Sequence, residues 1–426
     1  MSYDNKVEYL LNMVKDETVP AIGCTEPVAV AFAAAYAKKY LNDEIDRMDI
    51  LVSKNIYKNG KSVIIPNTIE WGLDLAAALG VIGGNPDDEL MILRNVDLEL
   101  IDKAHNMIDE GRITVNYLEN SPDVYVEIIL SNNKEKVELI LNGKHNHIEK
   151  VVYNGEIVYE NPLNEEIASS NSILKELSFK EIRRIAEEIN IEDIRFIEDG
   201  IIMNKNAAED GLAGGKGLKI GSALYKLQKE GKINADSSMR ARILTAASAD
   251  ARMGGSDCPI MTSAGSGNQG LGVVLPIMVV AEDNEIHRDK LIRGVFFAHI
   301  INKYVKMYTG KLSAMCGCAI AAGIGSSSAI TWILGGNDEQ IAGAATNMLS
   351  NLTGMICDGA KENCALKLSS SAGEAVLSAF LALENVIVKP NIGIVGNNIE
   401  ETIKNVGTLC KEGLIQANDV IVGIIQ

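Results

Sequence analysis

Between Lys311 and Asp338 the chain carries no charged residue, and few features limit more strongly what it can fold into. A helix made from such a stretch is long enough to cross a bilayer. Its composition points elsewhere: it is rich in Gly, Ala and Ser, includes Ser326, Ser327 and Ser328, and contains Cys316 and Cys318. The expectation is a buried helix with a loop, or a helix pair, packed inside a large core. A length of 426 residues sets a prior of roughly two or three domains, enough to enclose such a core. The 38 glycines, concentrated late in the chain, and an aromatic share of only 5% suggest closely packed helices and sites lined by backbone.

The pattern divides into three parts. Residues 1–45 read as two helices around a turn: Val7, Leu10, Leu11 and Val14 recur at helical spacing, and Pro27 opens an alanine-rich helix from Val28 to Tyr40. Proline suits a first helical turn, because its missing N–H needs no partner there, so Cys24 falls just before a helix N-terminus. Residues 46–160 read as an inserted α/β domain. Strands are expected at Ile50–Val52, Ser62–Ile65, Val124–Leu130, Lys136–Leu141, His147–Tyr153 and Glu156–Tyr159, and helices at Trp71–Leu79 and Asp97–Glu110. Asn142–Gly143 and Asn154–Gly155 mark hairpin turns. Residues 161–426 read as an all-α domain of apolar helices joined by Gly-rich loops, with Ser178 and Glu181 forming a capping box. The fold class expected is α+β: a large helical bundle with a smaller inserted α/β domain.

A formal net charge of −17 repels phosphate backbones, which argues against a nucleic-acid partner. The charged N-terminal residues Asp4, Lys6, Glu8, Lys15 and Asp16 do not read as a secretory signal. The expected location is the cytoplasm, with no membrane partner. In a reducing compartment the seven cysteines, Cys24, Cys258, Cys316, Cys318, Cys357, Cys364 and Cys410, are buried small hydrophobes, metal ligands or nucleophiles. Cys357 and Cys364 would lie two turns apart on one face of a continuous helix, and closer still if Asp358–Gly359 turns. That spacing alone matches neither a ferredoxin nor a zinc-finger signature, and core packing, zinc and an iron–sulfur cluster all stay open on it. Ser263–Gly270 is a Gly-rich polar loop whose N–H groups could cradle an anion. Cys258 and Cys410 read as structural, His299 as a satisfied core histidine, and His145 and His147 as surface residues on a strand.

Five runs close the alternatives by likeness: Ala21-Ile22-Gly23-Cys24-Thr25-Glu26-Pro27, Lys58-Asn59-Gly60, Ser248-Ala249-Asp250-Ala251-Arg252-Met253-Gly254-Gly255, Ser263-Ala264-Gly265-Ser266-Gly267-Asn268-Gln269-Gly270 and Gly354-Met355-Ile356-Cys357-Asp358-Gly359-Ala360. Over nearly the whole chain the sequence resembles the L-cysteine desulfidase family, a serine-dehydratase-like group of iron–sulfur enzymes. The resemblance implies an oxygen-sensitive [4Fe–4S] cluster held by Cys316, Cys357 and Cys364. Cys316 is preferred over Cys318 because the family's Leu-Ser-Ala-x-Cys pattern ends there, and Cys318 is then a packing thiol. It also implies that Cys24 removes the substrate α-proton. The related L-serine dehydratases carry a cysteine at the extreme C-terminus. Val422–Gln426 holds none, so the fourth iron is expected to be open to substrate.

The expected activity is elimination of sulfide from L-cysteine, giving pyruvate, ammonia and hydrogen sulfide. Ser266, Asn268 and Gln269 of the Gly-rich loop, with Asn55 and Asn59 from the α/β domain, are the expected substrate-binding residues. The expected partners are this small amino-acid substrate and a second copy of the chain. Rival readings are an L-serine dehydratase on the same scaffold and a cluster-based redox sensor without turnover. A pyridoxal-phosphate β-eliminase is disfavoured, because no lysine stands in a Schiff-base context.

Overall fold

The computed structural model describes residues 2–163, 173–310 and 312–425. Helix Tyr3–Glu17 is capped by the Ser2 hydroxyl, which accepts from Asn5 N. A two-residue strand, β1 (Pro20–Ala21), then pairs antiparallel with β8 (Ile260–Met261). This ties the N-terminal segment to the second half of the chain. Helix Thr25–Lys38 follows, buried at nearly every position, with Cys24 at its N-cap and Pro27 in its first turn.

The sheet has six strands in the order β3-β2-β4-β5-β6-β7: β2 (Arg47–Ser53), β3 (Ile113–Leu118), β4 (Tyr125–Ser131), β5 (Lys136–Asn142), β6 (Ile148–Tyr153) and β7 (Glu156–Glu160). β2 and β3 run parallel and the other neighbours antiparallel. The period of two puts Met48, Ile50 and Val52 on the same face as Val126, Ile128, Leu130, Val137, Leu139 and Leu141. All nine are fully buried, and this face packs on helix Thr25–Lys38. That helix also crosses Leu73–Gly83. The crossing is so close that a Cβ on Gly80 would overlap the Ala31 carbonyl, which is why small residues fill both helices.

Two expectations about this region need correction. Ser62–Ile65 is not a strand; it is a loop with one isolated bridge between Ile64 and Trp71, followed by Pro66, which has no ladder donor to offer. Lys54–Gly60, where no helix was expected, is a helix capped by the Ser53 hydroxyl. It is short and polar, so its hydrophobic period carries no signal.

The second half is helical, as its pattern indicates, and the whole is an α+β fold with a large helical region. The capping box at Ser178 and Glu181 is formed. The uncharged stretch resolves into a loop and the helix Ile320–Ile333, buried at every position. Three of its four hydroxyls are satisfied within the helix: Ser326, Ser327 and Thr331 donate to carbonyls one turn back, while the buried Ser328 Oγ has no partner. Among the described residues, one helix, Cys364–Leu383, is long and apolar enough to cross a membrane by length and composition, and more than half of its most apolar 18-residue window is buried inside the fold.

Candidate active site

The sheet and the helical region meet at one deep pocket enclosing about 110 Å³, many times the space that one water needs. Five of the seven cysteines line it: Cys24, Cys316, Cys318, Cys357 and Cys364. Of the other two, Cys410 is buried against Met315, its Sγ 3.6 Å from the thioether sulfur, and Cys258 is partly buried, with its Sγ near its neighbour's carbonyl.

Backbone hydrogen bonds bring the thiols together. Cys316 N donates to Met355 O at 2.9 Å and Cys357 N to Ala314 O at 2.7 Å, zipping the two cysteine segments side by side. Cys357 and Cys364 do not share a helix. Gly359 turns the chain with φ at +101°, and Cys364 is the first residue of the helix Cys364–Leu383. The turn is pressed against the backbone of Lys58, leaving no space for a Cβ at Gly359. Lys58 is itself 2% exposed. Its ammonium donates to Ser313 O and Cys357 O, both at 3.3 Å, and to Asn418 Oδ1 at 2.7 Å. Burial pulls its pKa down, against the pull of Cys357, Asp358, Glu26 and Cys316.

The thiols raise one another's cost of ionisation. Cys316 is pushed well up by its hydrogen bond to Cys318, by burial, and by Cys318, Cys357 and Cys364. Burial pushes Cys364 up to about 12. Cys318 is lowered to about 7, first by the hydrogen bond from Cys316 and then by Arg252 and Lys306. It lines the pocket and also packs against the hydrophobic core, as expected from its position in the chain. Among the described residues, no group of three or more His, Cys, Asp or Glu converges as ligands of a single metal ion. An iron–sulfur cluster makes a different demand, because its irons are separate and each takes its own thiolate. The all-sulfur donor set fits such a cluster, and a bound cation would reverse the raised thiol pKa values.

Cys24 caps the helix Thr25–Lys38 by position only; its side chain makes no capping bond. The thiol instead donates to Glu26 Oε2 at 2.8 Å. Burial and then Glu26 push its pKa well up, so the helix dipole does not make it a thiolate here. Glu26 also accepts from Thr25 Oγ1 at 3.2 Å and from Asn59 Nδ2 at 3.0 Å. Burial opposes its ionisation, but His145, Cys24, Asn59 and Arg252 outweigh it and hold the carboxyl below the usual range. His145 is not on a strand. It sits in the β5–β6 loop, just past an irregularity in the β5–β6 register at Ile140/Leu141, and lines the pocket.

The Gly-rich loop forms the remaining wall. Ser263 Oγ is held by His299 Nδ1 and Asn302 Nδ2, both at 2.8 Å. Burial drops the His299 pKa to about 3, making it the satisfied core histidine that its apolar helix suggests. Ser266, Asn268 and Gln269 all line the pocket, as does Asn59. Asn55 does not: it borders a neighbouring cavity and donates to Leu312 O at 3.3 Å. Arg252, Glu26, His145 and Lys58 are the pocket and support residues that sequence reasoning left without a role. Three of them stand inside the family-like runs, and only packing shows where they point.

Residues 113–423 match the serine dehydratase alpha chain family. A UPF0597 protein of Clostridium botulinum (strain Okra / Type B1) is 57% identical over 425 residues, covering 100% of this chain and 98% of that protein. One from Alkaliphilus metalliredigens (strain QYMF) is 40% identical over 421 residues, covering 98% and 94%. One from Desulfatibacillum aliphaticivorans is 39% identical over 420 residues, covering 96% of each. The chain belongs to the serine dehydratase alpha chain family.

Proposed function

We propose that this chain is a [4Fe–4S]-dependent amino-acid lyase that eliminates sulfide from L-cysteine. The observation that carries this reading is the convergence of Cys24, Cys316, Cys318, Cys357 and Cys364 on one pocket. Cys316, Cys357 and Cys364 would hold the cluster. When bound, a cluster with an open iron supplies a Lewis acid for the leaving sulfur.

The chain's own residues account for proton movement and orientation. Cys24 and Glu26 act as a relay: the substrate α-proton passes to Cys24 Sγ while the Cys24 proton passes to Glu26 Oε2. The carboxylate is the net base, and Asn59 and His145 keep it ionised. Loss of sulfide leaves aminoacrylate, which tautomerises and hydrolyses to pyruvate and ammonia. Asn268 and Gln269 orient the substrate, while Asn55 lies outside this pocket and has no place in this mechanism.

A second reading is dehydration of L-serine by the same residues, favoured by the family's own description. Anaerobic purification with iron and sulfide counted, followed by pyruvate assays on L-cysteine and L-serine, separates the two. Pyruvate from serine alone moves the protein to the dehydratase reading. A fully active, metal-free protein overturns both.

A further inference from the structure

Arg252 is 3% exposed, lines the pocket, and is poorly satisfied for a buried cation. Its Nη1 donates to Asn268 Oδ1 at 2.8 Å, while its buried Nε has no hydrogen-bond partner. Among the described residues no carboxylate forms an ion pair with it, although Cys24, Glu26 and Cys318 all feel its charge. A buried guanidinium without a direct ion-pair partner is costly unless an anion arrives.

The helix Gly267–Asp283 begins against this guanidinium. A Cβ on Gly267 would run into Arg252 Nε, so only glycine permits the approach. Ser266, its N-cap, makes no side-chain capping bond, leaving the positive end of a 17-residue helix without a capping side chain of its own. Beside it, the buried Gln269 Oε1 also has no partner. Asn268 is oriented by Arg252 on one side and by Met253 Sδ, 3.5 Å from its Nδ2, on the other.

We propose that Arg252 and the N-terminus of this helix together bind the α-carboxylate of the substrate, restricting the site to amino acids with a free carboxylate. This rests on the reading of the pocket as an amino-acid lyase site, but it can be tested without turnover. L-alanine has the carboxylate and ammonium but no leaving group, and L-alaninamide replaces the carboxylate with a neutral amide. Isothermal titration of the anaerobically purified protein should show L-alanine binding more tightly than L-alaninamide. R252Q should weaken L-alanine roughly 10- to 100-fold, the range for a lost hydrogen bond to a charged group, and leave L-alaninamide nearly unchanged. R252K should recover part of the preference, without the bidentate fork; if R252Q fails to fold, R252K carries the test by the same comparison. Equal weakening of both ligands would mean that Arg252 only props up Asn268, and would overturn the proposal. So would absence of L-alanine binding to the parent protein, or unchanged affinity in the variants. An Arg252-dependent carboxylate preference in a protein that turns over neither cysteine nor serine would keep the anchor and overturn the lyase reading.

Discussion

Replacing Lys58 with methionine should loosen the cysteine segments without touching a cysteine. Lys58 spends its hydrogen bonds on Ser313 O, Cys357 O and Asn418 Oδ1, joining the Lys54–Gly60 helix to both cysteine segments and to the helix Ile415–Ile425. Methionine keeps most of the apolar stem but leaves three acceptors without this donor. Each such loss costs about 1–3 kcal/mol, so the gross penalty is roughly 3–9 kcal/mol. Part is offset, because burying an ammonium is itself expensive by several kcal/mol. A net loss of about 3 kcal/mol is expected, a large share of the roughly 5–15 kcal/mol typical of a folded domain. Urea denaturation of metal-free protein measures this separately from any cluster contribution. Iron and sulfide counts on anaerobically loaded protein should fall by roughly half or more if three thiolates must be prearranged to hold the cluster. Asn418→Ala removes one acceptor only and should cost about 1 kcal/mol. If K58M keeps the parent's urea midpoint and its full iron content, the staple argument is wrong.

The remaining predictions concern the thiols and one buried carboxylate. Cys24→Ala should keep iron and sulfide at parental levels while turnover falls roughly 10²- to 10⁴-fold and α-deuterium exchange disappears; an emptied cluster would instead make Cys24 a ligand. Glu26→Gln should lower turnover and α-exchange in parallel, since the relay then has no acceptor. Cys316→Ser should lose the cluster and Cys318→Ala should retain it; the reverse pattern in the iron counts would exchange their roles. Asp250, fully buried in the helix Ser237–Met253 and accepting from Gly221 N at the start of the helix Ile220–Lys229, is pushed up to about 6 by burial, against hydrogen bonds from Gly221, Ile220 and Lys219. A raised carboxyl pKa means that the folded state holds the proton longer, so Asp250's contribution to stability is greatest below about pH 4 and is lost as the pH rises to about 6. Asp250→Asn keeps an acceptor for Gly221 N and should gain stability relative to the parent between pH 4.5 and 7, by roughly 3 kcal/mol at most; a constant difference across that range of urea titrations would contradict the assignment.

Much of the architecture was legible because burial imposes a period. The alternation of Val126, Ile128 and Leu130 against Val137, Leu139 and Leu141 needs no tertiary information to read as a hairpin with one buried face. Pro27 and the Ser178–Glu181 pair announce helix starts through local hydrogen-bond chemistry alone. The uncharged stretch before Asp338 could be assigned to a core because it is rich in Gly, Ala and Ser and lacks any charge. Where no period exists the sequence was silent or misleading: the seven-residue helix at Lys54 and the loop at Ser62–Ile65 both depend on what packs around them.

The site divides along the same line. The residue types at Cys24, Cys316, Cys357, Cys364 and the Ser263–Gly270 loop, and the family to which they point, can be read along the chain. That Cys318 faces the pocket, that Asn55 does not, that Cys24 donates a hydrogen bond to Glu26, and that Arg252 meets the first residue of a helix are outcomes of the tertiary structure. Most depend on segments far apart in sequence being pressed together; Cys24 and Glu26 are only two residues apart, but burial and the Asn59 and His145 contacts that set their protonation come from elsewhere in the chain. Local sequence places Cys24 before a helix N-terminus, but burial and the carboxylate of Glu26, held ionised with the help of Asn59 and His145 from the α/β region, push its pKa up.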